Sequence, residues 1–383
     1  MNLKSNLPIE AYINPDFFAL EQKYIFSATW SFVGFVEDLK VAGDYLSVQA
    51  GLNNIFVIKG NDGETLAFHN MCRHRGTQLI EGKGNAKNKL VCPYHDWSYD
   101  LKGNLLSLPK AKKEFPALDK ACQGLKKANI GIWRGMIWVH PDPNSLSIDE
   151  WFSPIAEHLG PHKVDELVEP ENSIVIEEVN ANWKVIVDNY IDHYHLAHLH
   201  AGTLNMYDHK QASFGFEGHH FRFWEPLTKD YQQNIESNSP YPLVYDSNNG
   251  NLGTWGPMLF PGIGLAESES SWSVFHIVPI AVDKTRVIIR TKMKDCSTIE
   301  YLKQSICSAD YWKKKIKAKN SQFDSKHPLG SANFMQEDIY VCEKLQKSFS
   351  SPFFDFGPSA EEGELPIRAH QDIVWKIIEP YWS

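Results

Sequence analysis

Cys72-Arg73-His74 and Cys92-Pro93-Tyr94-His95 each put one thiol and one imidazole on a short turn, with residues 75–91 between the pairs. Two Cys and two His on paired loops suit a [2Fe–2S] cluster of the Rieske kind. There two imidazoles replace two thiolates on one iron, and the neutral ligands raise the reduction potential. A structural Cys₂His₂ zinc site uses the same four ligands. Zinc fingers, however, favour both cysteines first and a His pair after them, whereas here each loop carries one of each. Gly76 follows the first pair and Pro93 lies inside the second. That mixed order predicts iron–sulfur chemistry on Cys72, His74, Cys92 and His95.

A second concentration of ligands lies in NWKVIVDNYIDHYHLAHLH, residues 182–200. It holds His193, His195, His198 and His200, with Asp188 and Asp192 just upstream. Such density points to a metal site rather than to isolated core or surface histidines. On a continuous helix His195 and His198 share a face, while His195 and His200 differ by about 140°. Pairing His195 with His200 needs a π-type bulge or a helix end between them, a distortion found at functional sites.

The elements that must carry these groups change character along the chain. Residues 8–38 read as an amphipathic arm, with Phe17, Phe18, Leu20, Tyr24 and Ile25 at near-helical spacing. From about Val41 short strands alternate with turns: Tyr45–Val48, Ile55–Ile58, Thr65–Phe68, Lys89–Val91, Trp97–Tyr99 and Met136–Val139. Both Cys/His loops fall in this block and can be tips of neighbouring hairpins. A helix is expected over Trp151–Leu159, a strand at Ile174–Ile176, and one long helix from Trp183 to about His200. Residues 214–290 read as antiparallel sheet, and helices return near 297–318 and 335–349. Strands followed by helices, without βαβ alternation, predict an α+β chain. The expected domains are an N-terminal arm (1–38) packing on the catalytic domain, a small all-β cluster domain (39–155), and a larger catalytic domain of antiparallel sheet with helices (156–383).

Composition narrows the function. With 383 residues and a net charge of −9, the chain can bury a large core and offers no basic surface for nucleic acid. Lys313-Lys314-Lys315-Ile316-Lys317 reads as a solvated helix face. No apolar run is long enough for a membrane span, and no secretory leader is visible, so a cytoplasmic protein without membrane contact is expected. Beyond the two cluster cysteines, Cys122, Cys296, Cys307 and Cys342 lack motif spacing and read as buried, inert thiols.

Together these residues resemble the α subunits of Rieske non-haem iron oxygenases, over nearly the whole chain. The matching features are the two Cys/His loops, Asn182-Trp183-Lys184, Asp188-Asn189, Asp192, His195 and His200. Near the C-terminus QEDIYVCEKLQ is similar to the family's Glu-Asp-x₃-Cys-x₃-Gln segment. The resemblance implies a mononuclear Fe(II) held by His195, His200 and Asp338, a facial triad that leaves positions for O₂ and substrate. Glu337 is the neighbouring rival to Asp338. The resemblance further implies a head-to-tail homotrimer. In it Asp192 would orient His195 and carry electrons from His95 of the adjacent chain.

The function so implied is oxygenase chemistry: O₂ and two electrons hydroxylate a small organic molecule. The electrons would come from NAD(P)H through a separate reductase, with or without a ferredoxin, because the chain shows no flavin or nicotinamide motif. Aromatic residues between 205 and 275 (among them Tyr207, Phe214, Phe216, Phe221, Phe223, Trp224, Tyr231, Trp255, Phe260, Trp272 and Phe275) could line a pocket for a quaternary ammonium group or a flat ring. Single-chain size and the Asp-Asn-Tyr-x-Asp wording are similar to choline and carnitine monooxygenases. An aromatic-ring dioxygenase is the alternative, and a Rieske electron carrier or a zinc-stabilised binding protein would be of another class.

Overall fold

The protein is described by a computed structural model over residues 7–171, 173–245, 252–317 and 323–382. The first six residues of the arm, the tip of the 205–275 stretch at 246–251 and the end of the 297–318 helix lie outside the described residues. The chain divides into two compact units: Leu20–Ser153, and Pro154 onward together with the residues up to Ala19. The stretch read as one arm is thus shared between them. Helices Glu10–Ile13 and Pro15–Glu21 start it, but Ser31–Phe35 is a strand paired with Met136–His140 in the smaller unit. Edge pairing there outweighs the helical spacing of the preceding residues.

The smaller unit is built from short antiparallel sheets. Asn53–Lys59 lies between Asp44–Ala50 and Thr65–His69 and buries both of its faces. Because side chains alternate along a strand, Phe56 and Ile58 join a core with Cys72, Cys92, Trp97 and Tyr99, while Ile55 and Val57 join Leu46, Ile137 and Val139. One strand therefore anchors the ligand loops to the sheet framework.

The larger unit centres on a nine-stranded antiparallel sheet. Its longest strands, Trp272–Ala281 and Lys284–Lys294, form a hairpin, and Val175–Val179 pairs with the second of them. Helices Trp183–Ile191, Thr298–Lys315, Phe334–Phe349 and Leu365–Ile378 complete the α+β architecture. The helix expected at Trp151–Leu159 is displaced: Ile148–Phe152 is helical behind a Ser147/Glu150 capping box, followed by a short turn of 3₁₀ helix at Ala156–His158. Among the described residues no helix is long and apolar enough to cross a membrane. Cys342 is buried, but Cys122 and Cys307 are exposed, contrary to the reading of all four spare cysteines as buried.

Asn182-Trp183-Lys184 starts the helix that leads to the histidines, and its role is structural. The Asn182 Oδ1 accepts hydrogen bonds from the Lys184 backbone N–H (3.0 Å) and ammonium (2.8 Å), and Trp183 is fully buried. Lys184, itself fully buried, lies within 5.1–5.6 Å of the ring centroids of Tyr12, Phe17 and Trp183. Gln346 accepts from the Asn182 N–H and donates to the Tyr12 carbonyl, clipping Phe334–Phe349 to the same point.

Asp188 also belongs to this scaffold rather than to the histidine cluster. It accepts hydrogen bonds from Tyr12 (3.0 Å), His370 (2.9 Å) and Gln371 (3.3 Å), joining three segments. Replacing it by Ala would strand these donors. Asp188→Ala should cost about 3 kcal/mol or more in denaturant unfolding, and an unchanged midpoint would contradict this role.

Candidate metal centres

The two Cys/His loops repeat one backbone design. Cys72 N–H donates to Thr77 and Cys92 N–H to Trp97, both at 2.8 Å. Gly76 N–H returns to the Cys72 carbonyl (2.9 Å) and Asp96 N–H to that of Cys92 (3.1 Å). The returning residue has a left-handed backbone in each loop, φ 79° at Gly76 and 55° at Asp96, which Gly and Asp tolerate best. The loops present buried Cys72 and Cys92 beside His74 and His95, whose ring centroids are 4.7 Å apart.

The surroundings of these four residues fit a cluster. His74 Nδ1 and His95 Nδ1 are buried and have no hydrogen-bond partner among the described residues. Burial pushes the Cys72 thiol up against the opposing hydrogen bond of Tyr99, and nearby Cys92 adds to the rise. Two adjacent buried thiols and two unpartnered imidazole nitrogens are the donor set of such a cluster, the thiols losing their protons when metal binds. Trp97 stacks on His74 at 4.9 Å and Phe115 packs edge-on against both rings. Tyr99 reaches Cys72 Sγ (3.3 Å) and accepts from Arg73 N–H (3.0 Å). These aromatic supports were not singled out as functional from the sequence; the signal for Trp97 and Tyr99 is their position two and four residues after His95, and Phe115 carries none.

The helix read as running from Trp183 to about His200 does not exist as one piece. It stops at Ile191, and Asp192 is its extended C-cap. The reason is local: Asp192 Oδ1 accepts from the Tyr194 N–H at 2.7 Å, an Asx turn that competes with the helix. A single helical turn follows at Leu196–Leu199, with His195 as its N-cap and His200 as its C-cap. The 140° conflict disappears, and the two imidazole centroids lie 5.0 Å apart.

One donor atom from each of His195, His200 and Asp338 falls within 4.8 Å of the others. His200 Nε2 is 2.9 Å and His195 Nε2 3.8 Å from Asp338 Oδ1. Each imidazole is held through its other nitrogen: His195 Nδ1 by Asp192 (3.0 Å) and His200 Nδ1 by Glu337 (2.9 Å). Asn189 donates to Asp338 Oδ1 at 3.3 Å. Burial lowers the pKa of His200, but Asp338 and Glu337 on its two nitrogens outweigh burial and raise it. A donor set of two imidazoles and a carboxylate in this surplus of negative charge fits a divalent metal with open positions.

Glu337 and Asp338 stand on opposite sides of His200. Consecutive positions on one helix differ by about 100°, and the two acids take opposite nitrogens of His200. Glu337 is fully buried and also accepts from Thr203 Oγ1 at 2.8 Å. His193 turns away to the His209 carbonyl (2.7 Å), and His198 is exposed. The centre borders a cavity of about 400 Å³ lined by Tyr190, Tyr207, Phe223, Trp255 and Phe275. Of the eleven aromatics considered from sequence, Phe221, Tyr231, Phe260 and Trp272 are buried core residues and do not line it; Tyr190 was missed.

Comparison with known proteins places the chain in a family. A model described as ring hydroxylating alpha subunit (catalytic domain) matches residues 156–379, and one described as Rieske [2Fe-2S] domain matches residues 29–126. The chain belongs to the ring-hydroxylating α-subunit family, and its smaller unit carries the Rieske domain rather than a zinc fold. It is 36% identical over 200 residues to the glycine betaine monooxygenase oxygenase subunit of Chromohalobacter salexigens, covering 52% of this chain and 44% of that protein. To choline monooxygenase of Atriplex hortensis it is 26% identical over 360 residues, covering 91% of this chain and 73% of that one. In fold it is similar to a solved quaternary ammonium Rieske monooxygenase, with TM-score 0.75, 21% identity, and coverage of 97% of this chain and 94% of the other.

Glu337 gives the site its own test. Glu337→Ala should lower iron affinity by about 10–100-fold, read by competition with a chelator of known affinity. Glu337→Gln, whose amide oxygen can still accept from His200, should recover part of it. Equal iron retention in all three proteins would show that this carboxylate does not hold His200 for the metal.

Proposed function

We propose that the protein is the oxygenase component of a Rieske-type system, hydroxylating a small substrate that carries a quaternary ammonium group, of the choline, carnitine or betaine kind. The observation that carries this reading is the His195/His200/Asp338 group opening onto an aromatic-lined cavity. A simple electron carrier has no use for that arrangement. The named activities of the glycine betaine and choline relatives support the substrate class. Overall, the substrate C–H bond, O₂, two electrons and two protons become a C–OH group and water. NAD(P)H supplies the electrons through a separate reductase, with or without a ferredoxin, in the cytoplasm.

Cys72, His74, Cys92 and His95 would hold the [2Fe–2S] cluster, and His195, His200 and Asp338 the Fe(II). When bound, the cluster supplies single-electron relay and the iron supplies O₂ activation. The protein's part is positioning. Asp192 and Glu337 keep Nδ1 of each imidazole as a hydrogen-bond donor, so Nε2 presents its lone pair to the metal. The apolar walls exclude water and hold the substrate beside the centre. We assign Asp192 a second part, bridging His195 to His95 of the next chain in a homotrimer. Inter-subunit electron transfer is a subject of the solved relative's structure.

Purified protein should contain acid-labile sulfide and take up O₂ with substrate and a reductase. His195→Ala or Asp338→Ala should lose the mononuclear iron and turnover while keeping the visible cluster absorption. His193→Ala and His198→Ala should keep both metals. Turnover without mononuclear iron would refute the assignment.

Asp192→Asn tests the electron path. Both centres should assemble and the cluster should still be reduced, yet product formation should fall by about 100-fold or more. Mixing chains that lack the cluster with chains that lack the iron should restore part of the activity. No recovery in mixed trimers would mean that electrons stay within one chain.

A further inference from the structure

The sheet that walls the cavity sorts its charges by face. Side chains alternate along a strand, and on Lys284–Lys294 the cavity-lining residues are Val287 and Ile289. The basic residues Lys284, Arg286 and Arg290 stand at the opposite parity. They are tied there to Glu178 (Lys284 and Arg286, 2.5 and 2.7 Å) and Glu169 (Arg290, 2.6 Å). The same rule holds on His220–Pro226, where Phe223 and Glu225 line the cavity and Arg222 pairs with Glu217 at 2.9 Å on the other face. On Val175–Val179 it is Glu177 that lines the cavity, while Glu178 holds the two cations behind the sheet.

The result is one-sided. Among the described residues, the cavity is lined by the carboxylates Glu177, Asp192, Glu225 and Asp338 and by no Lys or Arg. Asp192 and Asp338 are taken up by the histidine centre, which leaves Glu225 and Glu177 as the carboxylates facing the substrate space. Glu225 is 3% exposed and is held by His209 Nδ1 at 2.7 Å, so its carboxylate is fixed rather than solvated. A fixed anion near aromatic faces attracts an alkylammonium through both charge and ring quadrupole. A carboxylate brought into the same space would find no Lys or Arg among the described lining residues and would lose hydration beside Glu225 and Glu177.

We propose that this cavity selects a choline-like monocation, an alkylammonium with a neutral tail, over zwitterions of the betaine or carnitine kind. Tyr207, Phe223 and Trp255 supply the rings, and Glu225 supplies the principal counter-charge. This rests on the quaternary ammonium reading above and narrows it: the relatives include enzymes named for both kinds of substrate, and the pleat of this sheet turns no Lys or Arg toward the cavity to pair with a substrate carboxylate.

Equilibrium binding to the metal-loaded full chain under argon, followed by calorimetry, tests this without turnover. Four probes suffice: choline, glycine betaine, L-carnitine, and 3,3-dimethylbutan-1-ol, an uncharged molecule of choline's shape. Choline should bind at least about tenfold tighter than each of the other three. Glu225→Gln should weaken choline about tenfold and leave the neutral probe unchanged, with cluster absorption and iron content checked first. Should that variant fold poorly, Glu177→Gln, at a half-buried position, should weaken choline in the same direction by a smaller factor.

Betaine or carnitine binding as tightly as choline would overturn the exclusion of zwitterions while leaving the quaternary ammonium reading intact. Equal binding of choline and its neutral analogue, or no binding of any probe, would overturn that broader reading along with this one.

Discussion

Two imidazoles five positions apart can face each other only if the chain between them is not a continuation of the preceding helix, and Asp192 meets that condition. Its carboxylate does two things with its two oxygens. Oδ1 captures the Tyr194 N–H and stops the helix at Ile191, while Oδ2 holds His195 Nδ1. A charged acceptor makes both hydrogen bonds stronger than a neutral one would. The single turn Leu196–Leu199 then sets the spacing of His195 and His200. Ligand orientation and chain direction are thus one event, and the rest of the larger unit is arranged around where that turn falls.

The opposing element is fixed just as firmly. Phe334–Phe349 must bring Asp338 to His200 Nε2 at the right height along its axis. Gln346, two helical turns further on, sets that height by bonding to Asn182, which caps the start of Trp183–Ile191, and to Tyr12. Cys342 lies between them, buried against the same helix with its thiol pushed well up by burial. The fully buried ammonium of Lys184 makes this corner costly to disturb, because its replacement would leave Asn182 and three aromatic rings without the group they enclose. Rigidity of the scaffold, rather than of the loop alone, holds the three donor atoms together.

In the smaller unit the same economy appears in β form. The ligand loops repeat one hydrogen-bonding pattern, and the two-faced strand Asn53–Lys59 packs them onto the framework. In the larger sheet, alternation sends Lys284, Arg286 and Arg290 to the far face, where Glu178 and Glu169 pair with them, and turns Val287 and Ile289 toward the cavity. Both are consequences of a side-chain period of two.

Much of this was legible in the residues. The Cys/His loops are short-range patterns, so the Rieske domain and the β character around it could be read directly, as could the α+β order. What failed were readings that depended on distant partners, and one that turned on a local competition. Helical spacing in the first 38 residues said nothing of the pairing of Ser31–Phe35 with Met136–His140. The long helix was expected because nothing local weighed the Asx turn at Asp192 against helix propensity. Asp188 and Asp192 look alike in sequence, yet one faces Tyr12 and His370 and the other faces His195. Glu337 and Asp338 could not be told apart until His200 stood between them. The sequence by itself determined which chemical groups were present and the local turns that present them. Only the tertiary structure decided which groups meet, because His200 is oriented by hydrogen bonds to Glu337 and Asp338, more than a hundred positions away.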